Sequence, residues 1–306
     1  MKKILSFILK LLFSSALLYF FLSKVDMHSV FNIIKQARID LFVLSLFVYL
    51  SIIFVAAKRW SLFLPEGMKY LKLLSLYFIG AFFNTLIPGL VSGDAVKAFY
   101  LYKHTGKGTG GTSIASVFMD RYMGLVAMVG IGFIAFLIGF SHIKGTQMVW
   151  LIPAFAGAFS LGSLVLWKIN WGRIKALSTF YAPLMEYKKE KTVIYKGLLL
   201  GFAIQSIFIA VVYMLSLSIG LDVKIFYYLM FVPIISVATS IPISFAGLGV
   251  REAGFVILFG IVGVAKEAAI TLSLLVFIVM TFVSLLGGIE YLRVGKPPKE
   301  IQTNTG

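Results

Sequence analysis

Two short stretches of this sequence place charged residues inside otherwise apolar segments, shortly after a proline and a glycine. The first reads PGLVSGDAVK from Pro88, and the second reads PISFAGLGVRE from Pro242. Proline removes a backbone donor and glycine permits a sharp reversal, so we expect a helix to break in each stretch. A helix that restarts there would direct its N-terminal N–H groups at a buried site. Such a site attracts anions, and a phosphate group is the obvious candidate.

The residues that are expected to form this site fall into two groups. The predicted helix breaks involve Pro88, Gly89, Gly93, Pro242, Gly247 and Gly249. The expected substrate-binding residues are polar or charged and lie at the breaks or within a nearby span: Asn84, Asp94, Lys97, Asp120, Arg121, Arg251 and Glu252. An ionisable residue within a membrane span is by default a candidate for function. We expect the basic residues Lys97 and Arg251 to hold the anion.

Structural roles are the alternative for the same charges. Asp94 is also suited to cap its own helix with Lys97 as a local ion-pair partner. Arg121 could meet Asp94, and Asp120 could meet Lys97 or Arg251, in a purely structural network. Arg251 and Glu252 are neighbours that point in different directions on a helix, so we expect them to have different partners.

Composition indicates that these charges belong to a membrane protein. The 306 residues are 60% hydrophobic and 13% charged, with a mean hydropathy of +0.98, whereas soluble domains carry about 25% charged residues. The net charge of +16 comes from basic residues at the edges of apolar stretches, where membrane topology favours them, so we expect no nucleic-acid partner. Cysteine is absent, which excludes thiolate metal sites, and we expect neither a metal nor another cofactor.

Hydropathy predicts an all-α polytopic fold. Six apolar stretches are each close to the roughly 20 residues that cross hydrocarbon: 4–22, 41–57, 113–140, 148–167, 197–219 and 269–291. The regions 73–103 and 226–263 are too long for one span and are broken midway. Because each half of about 16 residues reaches only about 24 Å, we predict two re-entrant helical hairpins. Full spans in their place, including an eight-span arrangement, are the alternative.

Basic residues in the short loops predict the orientation. They place both termini in the cytoplasm of a cell-membrane protein, and Lys58 and Arg59 assign the loop after the second span to the same side. The first hairpin then enters from inside and the second from outside. We treat 1–306 as a single transmembrane domain with inverted pseudo-repeat halves, about 1–145 and 146–292, and a short cytoplasmic tail, 293–306. The basic stretch 173–196 is either an amphipathic segment on an anionic leaflet or a solvated loop.

Four sequence blocks occur in a characteristic order. They are AAKRWSLFL from Ala56, NTLIPGLVSGDAVKAF from Asn84, SIASVFMDRYMGL from Ser113 and SIPISFAGLGVREAGF from Ser240. Together they resemble the transmembrane region of the lysylphosphatidylglycerol synthase family, also described as a flippase-like domain, over nearly the whole chain. Family members often have Gly-Gly-Asp followed by Arg where this chain has Ser-Gly-Asp followed by Lys97, a departure that preserves charge.

The resemblance implies that a central cavity holds a lipid phosphate headgroup. We therefore expect a flippase-like protein that binds and translocates an anionic lipid, either a phospholipid or a polyprenyl-phosphate carrier, with Asp94, Asp120 or Glu252 as candidate proton sites. The alternative is a lipid-binding partner of an envelope glycosyltransferase or lipid synthase that does not transport. Bifunctional members carry an aminoacyl-transferase domain after the membrane region, and this sequence ends at Gly306, so we do not expect an enzyme. An envelope-biosynthesis enzyme and a second copy of the chain are further candidate partners.

Overall fold

The computed structural model describes Tyr19, Gly172 and residues 25–64, 68–86, 92–105, 110–145, 148–169, 175–240 and 247–295. Within these residues the regular structure is entirely helical. The helices are α1 (Met27–Lys35), α2 (Ile39–Ser61), α3 (Tyr70–Leu86), α4 (Ser92–Thr105), α5 (Gly110–Ile138), α6 (Phe140–Ile143), α7 (Met148–Lys168), α8 (Lys175–Lys189), α9 (Lys191–Ser218), α10 (Ile225–Ser240), α11 (Val250–Gly260) and α12 (Lys266–Val294). The predictions for Pro88, Gly89 and Pro242, and most of span 4–22, fall outside the described residues.

Five helices are long and apolar enough to cross a membrane: Ile39–Ser61, Gly110–Ile138, Val149–Lys168, Lys191–Ser218 and Lys266–Val294. They coincide with five of the six predicted spans, which confirms an all-α polytopic membrane protein. Their ends differ from the hydropathy boundaries. The second predicted span was expected to end at residue 57, before the charged residues Lys58 and Arg59, but α2 continues to Ser61. Arg59 lies in this extension and is buried within the protein.

Two pairs of shorter helices occupy the predicted hairpin regions. Helices α3, α4, α10 and α11 contain 17, 14, 16 and 11 residues. At 1.5 Å per residue each reaches about 16–26 Å, which is short of the roughly 30 Å hydrocarbon core. The two members of each pair pack on one another, and the second helices begin at Ser92 and Val250, where the sequence predicted a restart. The helix lengths therefore favour re-entrant hairpins over full spans.

The order and packing of the helices are similar in the two halves. Helices α2–α5 form the series long, short, short, long, and α9–α12 repeat it. Helix α3 packs against α12, and its counterpart α10 packs against α5. Likewise α1 packs against α12, and its counterpart α8 packs against α5, while α2 and α9 pack against each other. Such an exchange of partners is what two halves related by a twofold axis would show, and the inverted repeat stays a prediction.

The basic stretch that could have been a solvated loop contains the helix α8. One side of this helix is buried through Tyr181 and Leu184, whereas Lys188 and Lys189 are exposed. The hydroxyl of Tyr187 donates to the Phe63 carbonyl at 2.7 Å, which ties α8 to the end of the α2 segment. This stretch is therefore a helix that packs on the protein, and its contact with an anionic leaflet stays a prediction.

Small residues allow the central helices to approach closely, as is common in membrane proteins, where association relies on packing. Gly197 and Gly201 of α9 lie against Met123 of α5. A Cβ added at Gly124 of α5 would lie 3.2 Å from Nη1 of Arg59. These glycines leave room for a large polar side chain between α2, α5 and α9.

Candidate functional site

Five charged side chains from three helices meet within the protein, and we call them the charged cluster. They are Arg59 of α2, Asp94 and Lys97 of α4, and Asp120 and Arg121 of α5. Three cations and two carboxylates give the charged cluster a formal charge of +1. An excess charge at membrane depth is costly and marks a candidate functional site.

Asp120 lies at the centre of the charged cluster and is fully buried. Its carboxylate accepts a hydrogen bond from Nε of Arg59 at 2.7 Å and from the Tyr77 hydroxyl at 3.1 Å. The ammonium of Lys97 lies 3.6 Å away. The predicted contact with Lys97 is therefore present, whereas the alternative contact between Asp120 and Arg251 is wrong.

Lys97 is enclosed by the residues around it. Its Nζ lies 3.0 Å from Oδ1 of Asp94, and it sits over the Tyr77 and Trp60 rings at 4.2 and 5.3 Å from their centroids. The absence of a side chain at Gly80 provides the space for its stem, because a Cβ there would lie 2.7 Å from the Lys97 Cγ. With two carboxylates and two rings as neighbours, Lys97 is poorly placed to contact a headgroup, although its predicted role in binding stays a prediction.

Arg121 differs from the other members of the charged cluster in its exposure. Its side chain is 51% exposed, whereas that of its partner Asp94 is 5% exposed. The Arg121 Nε donates to Oδ2 of Asp94 at 2.5 Å, as the sequence predicted. Among the described residues no acceptor is found for its Nη1 and Nη2 groups, so one edge of the guanidinium remains available.

The position of Arg121 along α5 can be deduced from the packing of α10. Gly139, which follows α5, lies against Phe226, and Gly132 lies against Pro233, so α10 runs antiparallel along this face. Gly139 follows Arg121 by 18 residues, which is about five turns, and therefore shares its face. The same register places the last residue of α10, Ser240, opposite Leu125, about one turn from Arg121. Arg121 thus lies level with the end of α10 and beside the start of α4.

The second predicted charge pair forms a closed network. Nη2 of Arg251 lies 2.7 Å from Oε1 of Glu252, and Ser273 of α12 donates to the same oxygen at 3.0 Å while accepting from Nε of Arg251 at 3.1 Å. The Arg251 guanidinium also lies 4.7 Å from the Phe277 ring centroid. The expectation that Arg251 and Glu252 have different partners is therefore wrong. The long arginine side chain folds back, and a serine from another helix bridges the two groups.

The N-terminal ends of α4 and α11 are partly satisfied by side chains of the protein. The Gly93 N–H donates to Oδ1 of Asn84 at 2.9 Å, and the Gly249 N–H donates to Oε2 of Glu252 at 2.6 Å. Gly247 and Gly249 have φ values of +75° and +83°, a conformation that favours glycine. The predicted glycine breaks of the second hairpin are therefore real, but these two N–H groups already have acceptors.

Sequence reasoning missed three members of these networks. Arg59 was assigned to a cytoplasmic loop, yet its side chain is buried against Asp120. Its place in the AAKRWSLFL block was the signal that could have identified it. Tyr77 and Ser273 are uncharged residues inside apolar helices, and no pattern in the sequence distinguished them. We call the group of Arg251, Glu252 and Ser273 the Arg251 network. Among the described residues no ion pair connects it to the charged cluster.

The comparisons with known proteins agree with the sequence blocks. The sequence model of the lysylphosphatidylglycerol synthase transmembrane region matches residues 7–288. The chain is also similar to the UPF0104 membrane protein PH1989 of Pyrococcus horikoshii, with 24% identity over 300 residues, covering 86% of this chain and 89% of the relative. Because the family match extends over most of the sequence, this multi-pass membrane protein belongs to the family of the lysylphosphatidylglycerol synthase transmembrane region.

Proposed function

We propose that this protein binds the headgroup of an anionic membrane lipid at Arg121 and translocates that lipid across the membrane. The observation that carries the proposal is the half-exposed Arg121 side chain in a cluster whose other members are buried. The buried members already pair with one another. Arg121 is therefore the group through which the excess positive charge can reach a ligand.

The chemistry of arginine fits a phosphate ligand. A guanidinium presents donors in a rigid fork that matches two oxygens of a carboxylate or phosphate. Asp94 occupies the Nε position and thereby orients the fork. A lipid phosphate could then accept from Nη1 and Nη2, and its acyl chains would stay in the bilayer. This contact would neutralise a charge that is otherwise costly at membrane depth.

Translocation is proposed from the arrangement of the two hairpins. Interrupted helices at corresponding positions of inverted halves are typical of a transporter's substrate site. In this protein the paired hairpins α3–α4 and α10–α11 belong to halves with matching helix order, and Arg121 lies level with the end of α10 and beside the start of α4. We propose a cell-membrane protein with the basic ends of α7 and α8 on the cytoplasmic side. An alternating exposure of Arg121 to the two leaflets would move the headgroup.

A binding measurement on single variants tests the role of Arg121. The affinity of the purified protein for fluorescent phosphatidylglycerol should fall in Arg121→Ala, because a charge-assisted hydrogen bond is worth about 1.5–3 kcal/mol, or roughly ten- to a hundred-fold. Arg121→Lys should retain part of the affinity. The matched control is Arg293→Ala, which removes an arginine whose side chain is 76% exposed and paired with Glu290. Wild-type affinity in a folded Arg121→Ala variant would contradict the proposed site.

Transport requires a second measurement in liposomes. The reconstituted protein should accelerate the exchange of fluorescent phosphatidylglycerol between leaflets, and Arg121→Ala should reduce the rate in proportion to its loss of affinity. Binding without exchange would contradict translocation. That result would favour the alternative in which the protein holds a lipid for another enzyme.

A further inference from the structure

A buried amide group lies beside Arg59, in the interface between α2, α5 and α9. We propose that this interface holds a small inorganic anion such as chloride, bound by the Arg59 guanidinium and the side-chain amide of Gln205. The site is separate from the proposed headgroup contact at Arg121 and does not depend on lipid binding. All three helices that form it are described over their whole length.

The evidence for a ligand is a pair of buried side chains with donors that lack acceptors among the described residues. Gln205 is 2% exposed, and its Nε2 is buried without a hydrogen-bond partner. Arg59 is 5% exposed, and within the described part of the chain its guanidinium donates only through Nε, to Asp120. A buried N–H group without an acceptor is costly. A ligand that accepts from both side chains would therefore stabilise this interface.

Helix packing directs these two side chains towards one another. Phe63, just after α2, lies against Gly197 of α9. One turn earlier on the chain, Arg59 lies against Gly201, with 3.6 Å between its Nη1 and an added Cβ at that glycine, so α2 and α9 run antiparallel. Side chains on a helix lean towards its N-terminus. Arg59 thus reaches along α2 towards the level of Gln205, and Gln205, one turn after Gly201 on the same face, reaches back along α9.

The surroundings favour a monatomic anion over water or an oxyanion. Gly124 faces the guanidinium, since a Cβ there would lie 3.2, 3.5 and 3.7 Å from Nη1, Nη2 and Cζ, and Ala127 lies beside Gly201. A bound water needs acceptors for its own protons, and glycine and alanine have no side-chain acceptor. A tetrahedral oxyanion needs more space than this close interface offers, because a Cβ at Gly201 would lie 3.0 Å from the Met123 carbonyl oxygen. Chloride is compact and only accepts hydrogen bonds.

Replacement of chloride in the buffer tests the site in the purified protein. The melting temperature in one detergent should rise saturably as sodium chloride replaces sodium gluconate at constant ionic strength, because a ligand that binds the folded state stabilises it. Sodium bromide should give a similar rise, and sodium sulfate should not. The matched control is Gln36→Leu, which removes an exposed glutamine amide and should leave the chloride response unchanged. Lack of a saturable chloride response in the wild-type protein would overturn the inference.

Two substitutions of Gln205 connect the response to this residue. In Gln205→Leu, half of the maximum rise should require about tenfold or more chloride, and the melting temperature in gluconate should not fall, because an unpaired buried donor has been removed. In Gln205→Glu a carboxylate replaces the anion beside Arg59, so the melting temperature should no longer depend on chloride and should match that of the chloride-saturated wild-type protein. An unchanged chloride midpoint in Gln205→Leu would overturn the inference. Where that variant does not fold, a chloride response that persists in Gln205→Glu would do the same.

Discussion

Arg59 and Asp120 lie 61 residues apart in the sequence and form a buried ion pair, with 2.7 Å between Nε and Oδ1. The pair links α2 to α5 and lies directly beside the residue that we propose as the headgroup contact. Because Asp120 also accepts from Tyr77, it joins α2, α3 and α5 through one carboxylate. The exposed edge of Arg121 is therefore supported by a buried network that fixes the surrounding helices.

Removal of one partner of this pair should destabilise the protein. Asp120→Asn leaves Arg59 without its counter-charge in a buried site, a change that costs about 3–5 kcal/mol in other proteins. The double variant Arg59→Met and Asp120→Leu should recover much of that loss, because it removes both charges. The free energy of unfolding, measured for each variant in the same detergent, gives the size of the effect. The control is Asp40→Asn, which breaks the exposed Arg38–Asp40 pair and should leave stability unchanged. Equal stability of Asp120→Asn and Asp40→Asn would contradict a structural role for Asp120.

The two helices of the first hairpin approach so closely at Gly93 that this position should tolerate no side chain. A Cβ at Gly93 would overlap the backbone oxygen of Gly80, so Gly93→Ala should force α3 and α4 apart and lower the melting temperature. Gly157→Ala on α7 is the matched control, because no atom lies within 4 Å of the position of its added Cβ. That control should be neutral or slightly stabilising, since alanine favours a helix more than glycine does. Equal melting temperatures for the two variants would contradict the close packing of the hairpin.

The sequence predicted local features better than contacts between helices. The restarts at Ser92 and Val250 follow from proline and glycine, which act on their own segment of backbone. The burial of Arg59 depends on the space beside Gly124 and Gly201, which belong to two other helices. A hydropathy scan scores Arg59 as polar in the same way as its neighbour Lys58, which is exposed. The angle between successive residues of a helix predicted that the side chains of Arg251 and Glu252 would point apart. That prediction was wrong because the angle takes no account of the length of an arginine side chain or of Ser273, which comes from a distant segment.

The Arg251 network should show a graded response to substitution. Glu252→Gln removes the counter-charge of a buried arginine and should cost about 3–5 kcal/mol of stability. Ser273→Ala removes only hydrogen bonds to charged groups and should cost about 1.5–3 kcal/mol. Because this network is separate from the charged cluster, Ser273→Ala should also bind phosphatidylglycerol with the affinity of the wild-type protein. Thermal unfolding and lipid binding on the same samples test both statements, and a selective loss of lipid affinity in Ser273→Ala would place this network in the binding site.

An inverted arrangement of the two halves, as the sequence predicts, would determine the side of the membrane from which each hairpin enters. The natural sequence contains no cysteine, so single cysteines can be introduced without a background. Leu71→Cys, near the start of α3, and Ile225→Cys, at the start of α10, replace exposed residues at the bases of the two hairpins. If the halves have the predicted opposite orientation, a membrane-impermeant thiol reagent should label the first only from the cytoplasmic side and the second only from the other side.

The first turn of α4 provides the test of the hairpin itself. Ala95 is exposed, and ten residues of helix separate it from Thr105, a distance of only about 15 Å. A re-entrant hairpin should therefore keep Ala95→Cys within the membrane, where small polar thiol reagents reach it through a central cavity and bulky ones do not. Full spans would instead expose this cysteine to bulky impermeant reagents on the side opposite Leu71→Cys. Labelling of Leu71→Cys and Ile225→Cys from the same side would contradict the inverted repeat, and with it the proposed path of the lipid between the two leaflets.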